Sequence, residues 1–509
     1  MRFARSSGVL LHPTSLPGPH GSGDLGDDAY RFVDWLVSAG QQLWQILPLG
    51  EIGTGNSPYM SSSAFAGNLL MVNLAELGKR GWLDDEDLAE DPTEDLADLS
   101  GDAHRIDFAS AIPFRMERLA RAAVRFGQLA GPAELEDFAG FCQRHAAWLD
   151  DYALYMTLSA KTGTGDWSTW DPDVRNRVGA TLSMVADEHA QDIVFWKFGQ
   201  WCFARQWAAL KAYANDRGVL IIGDAPIFVS YSSADVWARP ELFELDELGH
   251  MINVAGVPPD LFTTDGQRWG NPLYRWSVHA SDGYEWWVER IRRTFDLVDI
   301  VRIDHFRGFA AHWAIPASEP TAVRGVWQPG PGRGLFDAIH AALGPLPIIA
   351  EDLGVITPDV VELRKAFNLP GMSILQFAFG NDASNTYLPH HHEHDTVVYT
   401  GTHDNDTSVG WWASLSDDVR GHVRDYLATD GSDIHWDFVR AACASVADTS
   451  IYPLQDVLGL GAAHRMNFPG QSTGHWGWRF TWEQVLPRQT DLLKQLCSLY
   501  NRLGASSTL

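Results

Sequence analysis

The sequence predicts an α/β fold: a (β/α)8 barrel with large, mainly helical insertions between its strands. Three observations carry that prediction. Short apolar runs recur along the chain, and eight of them read as strands. Helical periodicity separates most of them, an alternation that implies parallel strands. Polar residues gather where several of the runs end, as they do on the C-terminal face of such a barrel.

The first strand is Gly8-Val9-Leu10-Leu11-His12-Pro13. A Gly-rich loop over 18–26 leads to a helix through Leu36 that Asp27 or Asp28 can cap, ending near Gly40. Leu43-Trp44-Gln45-Ile46-Leu47 opens the second strand. The loop over 56–68, rich in small polar residues around Tyr59, reads as a substrate-facing surface. Residues 74–215 form a mainly helical insertion, with apolar spacing of three and four over 113–126, 135–157 and 194–213. Pro113 suits the first turn of its helix, where a missing N–H costs nothing. The acidic part over 84–102 reads as a solvated edge.

The third strand, 218–226, ends in Asp224. An irregular insertion over 229–283, rich in Pro, Gly and Trp, is too long for a simple connection, and such loops tend to be functional. A helix over 284–295 precedes the fourth strand, Asp299-Ile300-Val301-Arg302-Ile303-Asp304. After it the rhythm tightens: strands at 346–353, 372–379, 396–405 and 451–458, with helices at 335–343, 358–367, 419–427 and 438–447. The expected organisation is one catalytic barrel over 1–509.

The bulk numbers exclude some functions. The chain has 509 residues and carries 38 Lys+Arg against 65 Asp+Glu, a net charge of -27. Such a chain repels phosphate backbones, so nucleic acid is not an expected partner. No window approaches a membrane span, and the apolar run after the basic N-terminus is too short for a signal peptide. Cys142, Cys202, Cys443 and Cys497 show no metal-ligand spacing and fit reduced, mostly buried thiols of the cytoplasm. His390-His391-His392-Glu393-His394 reads as a solvated loop rather than a metal tract. Of the 22 tryptophans, Trp167, Trp170, Trp269, Trp411, Trp412, Trp476 and Trp478 sit beside loop-forming residues. Flat rings there suit stacking on sugars; core filling is the expectation for about half.

The chemistry centres on the fourth strand. Arg302 and Asp304 share a face, and a buried arginine beside a buried aspartate must be paired. The guanidinium favours the charged carboxylate, so Asp304 reads as a nucleophile. Glu351 ends the apolar run Pro347-Ile348-Ile349-Ala350, where desolvation favours the protonated acid, so it reads as the proton donor. Asp404, between His403 and Asn405, is placed to hold sugar hydroxyls. Carboxylates brought to one barrel rim suit glycosidic bond chemistry.

These residues reach a family. The chain resembles the amylomaltases, the 4-alpha-glucanotransferases of glycoside hydrolase family 77 in the alpha-amylase clan. The resemblance spans nearly the whole length. It rests on Gly8-Val9-Leu10-Leu11-His12-Pro13-Thr14-Ser15-Leu16, Ser57-Pro58-Tyr59, Gly256-Val257-Pro258-Pro259-Asp260, Gln267-Arg268-Trp269-Gly270-Asn271-Pro272, Arg302-Ile303-Asp304-His305, Ala350-Glu351-Asp352-Leu353-Gly354, Thr400-Gly401-Thr402-His403-Asp404-Asn405-Asp406-Thr407 and Arg465-Met466-Asn467-Phe468-Pro469-Gly470. It implies Asp304 as nucleophile, Glu351 as acid/base and Asp404 as transition-state stabiliser. It implies Asp224, Arg302 and His403 as contacts to the sugar at the cleaved bond, and Tyr59, Gln267, Trp269 and Asn271 as glucan-binding residues. It implies no organic cofactor and no required metal, maltooligosaccharides and alpha-1,4-glucans as donor and acceptor, and a monomer or weak homodimer. Residues 254–269 resemble a loop lying over the site. The chain departs from the family at Leu261, where an aromatic is usual, at His475, where asparagine is usual, and around Ala463-His464; tuning rather than loss of activity is expected. Transfer, as opposed to hydrolysis, rests on the resemblance alone. An alpha-glucan hydrolase and a non-catalytic glucan binder are the alternatives.

Overall fold

A computed structural model describes residues 3–89, 103–259, 263–471 and 473–503. Twelve strands occur in them: β1 (Ser6–Leu10), β2 (Leu43–Gln45), β3 (Leu220–Pro226), β4 (Asn253–Val257), β5 (Gln267–Pro272), β6 (Ile300–Asp304), β7 (Ala311–Pro316), β8 (Val326–Pro329), β9 (Ile348–Ala350), β10 (Gly371–Ile374), β11 (Thr396–Tyr399) and β12 (Thr449–Pro453). Eight of them form one sheet in the order β10-β11-β12-β1-β2-β3-β6-β9. Every pairing in it is parallel. Across the remaining gap the Ala350 N–H donates to the carbonyl of Pro370, just ahead of β10, at 2.9 Å, so the sheet is nearly closed. The eight expected strands are these eight, and the (β/α)8 architecture is as the alternation predicts.

The apolar runs overshoot the strands. Leu375–Phe377 and Leu454–Leu458 turn helical directly after β10 and β12, though they continue apolar sequence. Burial drives both runs, and burial does not distinguish a strand from the buried turn that ends it. Between β2 and β3 stand three long helices, Phe108–Leu129, Pro132–Thr162 and Ala190–Asp216. Pro113 lies inside the first of these, not in its first turn. The helix starts earlier because the Asp107 side chain accepts the Ala109 N–H at 3.1 Å. Nor does Asp27 or Asp28 cap the first barrel helix, Asp27–Ser38. Gly26 is its N-cap, and both carboxylates lie in the first turn, where they suit the helix dipole. Of the acidic stretch, Asp87 is buried between Arg121 and Arg125, at 2.7 and 2.5 Å, rather than solvated. Residues 90–102 lie outside the described residues.

The irregular insertion holds a second sheet. β4 and β5 pair antiparallel, and β7 and β8, which follow the fourth barrel strand, extend it in the order β5-β4-β7-β8. This sheet stands at the barrel's C-terminal end, directly after β6. Trp167, Trp170, Trp476 and Trp478 are buried, whereas Trp269, Trp411 and Trp412 keep partial exposure. His392 departs from the solvated reading of its run: it is buried and bonds the Ser445 hydroxyl at 2.7 Å. The four cysteines are free, and only Cys142 is not fully buried.

Candidate active site

The site begins with register. β3 and β6 place Asp224 opposite Arg302 and Pro226 opposite Asp304. Arg302, only 3% exposed, bridges two carboxylates. Its Nη1 meets Asp224 Oδ2 at 2.6 Å and its Nη2 meets Asp304 Oδ1 at 2.9 Å. The period of two along β6 puts Arg302 and Asp304 on one face, as the sequence implies. The Asp304 side chain remains 30% exposed, so it is paired yet open. The strand then breaks at His305, whose left-handed φ of 52° ends the extended backbone.

That break aims a donor. The His305 N–H reaches Glu351 Oε2 at 2.7 Å, and the Leu353 N–H reaches Oε1 at 2.9 Å. Glu351 directly follows β9. Burial pushes its carboxyl up to about 8, and the charge of Asp304 adds to this; Arg302 and the two amides oppose it without prevailing. Burial also lifts Asp224 to about 6, with Arg302 pulling it back and Asp304 pushing it further. One Asp224 oxygen, Oδ1, is buried with no hydrogen-bond partner among the described residues.

The third carboxylate stands on the loop after β11. Asn405 Oδ1 accepts the Thr402 N–H and hydroxyl, both at 2.8 Å, and so closes that loop on itself. Asp404 is then fixed from outside the loop. Asn467 Nδ2 donates to its Oδ1 at 2.6 Å, and Arg465 Nη2 to its backbone carbonyl at 3.0 Å. His403 Nε2 lies 3.4 Å from the same Oδ1. The Tyr59 hydroxyl donates to Asp224 Oδ2 at 2.9 Å and lies 2.9 Å from His403 Nε2. Tyr59 and His403 stack at 5.4 Å, and the Trp476 ring tilts against both.

The second sheet supplies the remaining candidates. Trp269 stands edge-on to His305 at 4.8 Å, and its indole N–H donates to Gln267 Oε1 at 3.1 Å. Asn271 is buried and spends its amide nitrogen on the Val229 carbonyl at 2.9 Å and on the Met60 sulfur at 3.6 Å. It ties β5 to the two loops beside the rim. Leu261 lies outside the described residues. His475 bonds both sides of its loop: Nδ1 accepts the Phe468 N–H at 3.3 Å, and Nε2 meets the Gln471 carbonyl at 2.9 Å. It fastens the segment that carries Asn467.

Two groups have no role in the sequence reading, the amide of His305 and the side chain of Asn467, and the ring of Trp476, singled out there for stacking on sugars, is buried against Tyr59 and His403. Asn467 and Arg465 stand within a motif of the resemblance, but nothing in their spacing points at Asp404. Among the described residues, no group of three or more His, Cys, Asp or Glu side chains is arranged to hold a metal ion. No helix among them is long and apolar enough to cross a membrane.

A nearly closed parallel barrel with an ion-paired aspartate and a proton-holding glutamate at its rim belongs to the enzymes that work on glycosidic bonds. Comparison with known proteins narrows the class. Residues 11–485 match the family model described as 4-alpha-glucanotransferase. The 4-alpha-glucanotransferase of Thermus thermophilus is 45% identical over 511 residues, which cover 99% of this chain and 100% of that one. The 4-alpha-glucanotransferase of a Synechocystis species is 45% identical over 502 residues, 98% of each chain. The solved amylomaltase of Streptococcus agalactiae, in complex with acarbose, aligns with a TM-score of 0.93 at 37% identity, covering 98% of this chain and 99% of that one. The chain belongs to the 4-alpha-glucanotransferase family, glycoside hydrolase family 77. Its activity is glucanosyl transfer, and the hydrolase alternative is not favoured.

Proposed function

We propose that this 4-alpha-glucanotransferase works by a retaining double displacement on alpha-1,4-glucans. Asp304 attacks the anomeric carbon while Glu351 protonates the departing oxygen. A glucanosyl ester on Asp304 results. The 4-hydroxyl of a second glucan, or of glucose, then gives its proton to Glu351 and displaces the ester. Asp404 and His403 hold hydroxyls of the sugar at the cleaved bond, and Asp224 Oδ1 offers them a further acceptor. Arg302 keeps Asp304 charged and placed. Tyr59, Trp269 and Gln267 contact the flanking glucan, and Asn271 shapes the loops beneath it.

The observation that carries this reading is the split between two carboxylates. One is paired to a buried guanidinium and remains open to the rim; the other is lifted to about 8 and so holds a proton at neutral pH. Nucleophile and acid need those opposite states. Maltooligosaccharides act as both donor and acceptor, and the chemistry needs neither organic cofactor nor metal. The whole chain over 1–509 acts as one catalytic unit, with the insertions over 74–215 and 229–283 bordering the groove. The protein works in the cytoplasm as a monomer or weak homodimer, away from nucleic acid and membrane.

Maltotriose alone tests the reading. Purified protein yields glucose together with a ladder of longer glucans. Glucose and maltose without longer products would mean hydrolysis, and the transfer mechanism would fall.

A further inference from the structure

Two buried arginines of the helix Glu285–Leu297 play no part in the chemistry above. Arg290 and Arg293 line a cavity of about 80 Å³ bordered also by Ser61, Ser63, Tyr59 and Asp224. Arg290 spends its guanidinium on neutral acceptors, the carbonyls of Pro226 and Ile227 and the Tyr274 hydroxyl. Arg293 is less well provided. It is 9% exposed, and its Nε donates to the Phe65 carbonyl at 3.2 Å. Its Nη2 is buried and finds no acceptor among the described residues, and the opposite charge that acts on it, Asp296, does so without bonding that nitrogen.

A buried charge is expensive unless an opposite charge answers it. The Trp148 ring, 5.4 Å away, answers in part, but its own buried indole N–H also lacks a partner. Two orphan donors therefore lie near each other, of which Arg293 lines the cavity and Trp148 does not. Ser63 adds a third donor. Its oxygen accepts the Phe65 and Ala66 N–H groups at 3.1 and 3.4 Å, which leaves its own hydrogen to give. The carboxylate lining the cavity is Asp224; Arg302 and Tyr59 hold its Oδ2, and its Oδ1 has no partner among the described residues.

We propose that this cavity is a binding site for a small inorganic monoanion of the halide type, seated on the Arg293 guanidinium. The volume exceeds the roughly 10–15 Å³ that one water requires. Few donors and one free guanidinium edge suit a weakly hydrated monoanion better than phosphate, which demands several donors. The anion joins the helix to the loop at Ser63 and Phe65, the loop that carries Tyr59 into the active site. It therefore stiffens the floor of the site. The assignment does not depend on the mechanism proposed above.

Bromide tests it. In crystals of the unaltered protein grown in sodium bromide, an anomalous peak is expected within hydrogen-bond distance of Arg293 Nη2. In solution at constant ionic strength, bromide exchanged for a bulky organic anion is expected to raise the melting temperature to a plateau. Arg293→Met is expected to retain transfer of maltotriose and to lose that plateau. Bromide confined to the surface, or bromide curves that coincide for the two proteins, overturns the assignment. Should Arg293→Met fail to fold, the diffraction result decides alone.

Discussion

Glu351 keeps its proton because burial outweighs two amides that would otherwise charge it. The consequence for catalysis has a sign. The donor must be protonated to act, so kcat/KM falls as pH rises through about 8, the value to which Glu351 is lifted. The same shift bears on stability. The folded chain retains a proton that the unfolded chain releases near the ordinary 4.5, so stability is lost as pH climbs from there to about 8. Glu351→Gln removes the donor and little volume. Turnover of maltotriose should drop by about 10²–10⁴-fold, the basic limb should vanish, and glucan should still bind in calorimetry. Normal turnover would exclude Glu351 as the acid. Asn467 makes a different demand. It touches Asp404, not the reacting atoms, so Asn467→Ala should misplace that carboxylate and lower kcat by on the order of 10–100-fold. An unchanged kcat would show that the loop holds Asp404 without it.

Neighbouring barrel strands leave little room between them. Gly8 in β1 faces Leu43 of β2, and a Cβ at Gly8 would meet the Leu43 carbonyl oxygen at 2.3 Å. Gly8→Ala should therefore force β1 and β2 apart and cost about 1–3 kcal/mol, read from urea unfolding. A variant as stable as the parent would mean that the barrel wall yields there. The same elements explain what the sequence could reveal. Parallel strands covered on both faces read as unbroken apolar runs, so all eight barrel strands are legible. β4 and β5 are not. They are short, carry Gly256, Gly270 and Pro272, pair with each other across a register shift, and are joined on the β4 side by β7, which lies beyond the next barrel strand. No local pattern records a partner that distant. Strand ends and the start of the Pro113 helix miss for a related reason: a capping bond and a buried turn decide them, not periodicity.

The molecule is closed by its ends as well as by its sheet. Arg502, fully buried, donates to six backbone carbonyls, those of Ser6, Ala442, Cys443, Ser445, Ala447 and Asp448. Arg5 reaches Cys443, Ser445, Ala447 and Tyr500 from the other terminus. Arg502→Ala would take one donor from each of these buried carbonyls, although Cys443, Ser445 and Ala447 keep Arg5 and Asp448 keeps the Ser6 N–H, and should lower the urea midpoint of the whole chain in a single transition. Loss confined to one part of the chain would show that the ends are sewn on independently. The site has the same long-range character. Its carboxylates are legible because strand ends converge on a barrel rim. The bonds among the residues around them are not, since Tyr59 and His403 stand 344 residues apart. A hydrogen bond of that span leaves no spacing to read.

The Tyr59 hydroxyl has a single hydrogen to give. Above about pH 6, where Asp224 is ionised, that hydrogen goes to Asp224 Oδ2, and the phenol oxygen is left to receive. His403 must then carry its proton on Nε2, the nitrogen that faces both Tyr59 and Asp404. The tautomer of a histidine on one side of the barrel is thus dictated by an aspartate on the other. A sugar hydroxyl that reaches Nε2 meets a donor there, and must present its oxygen to it.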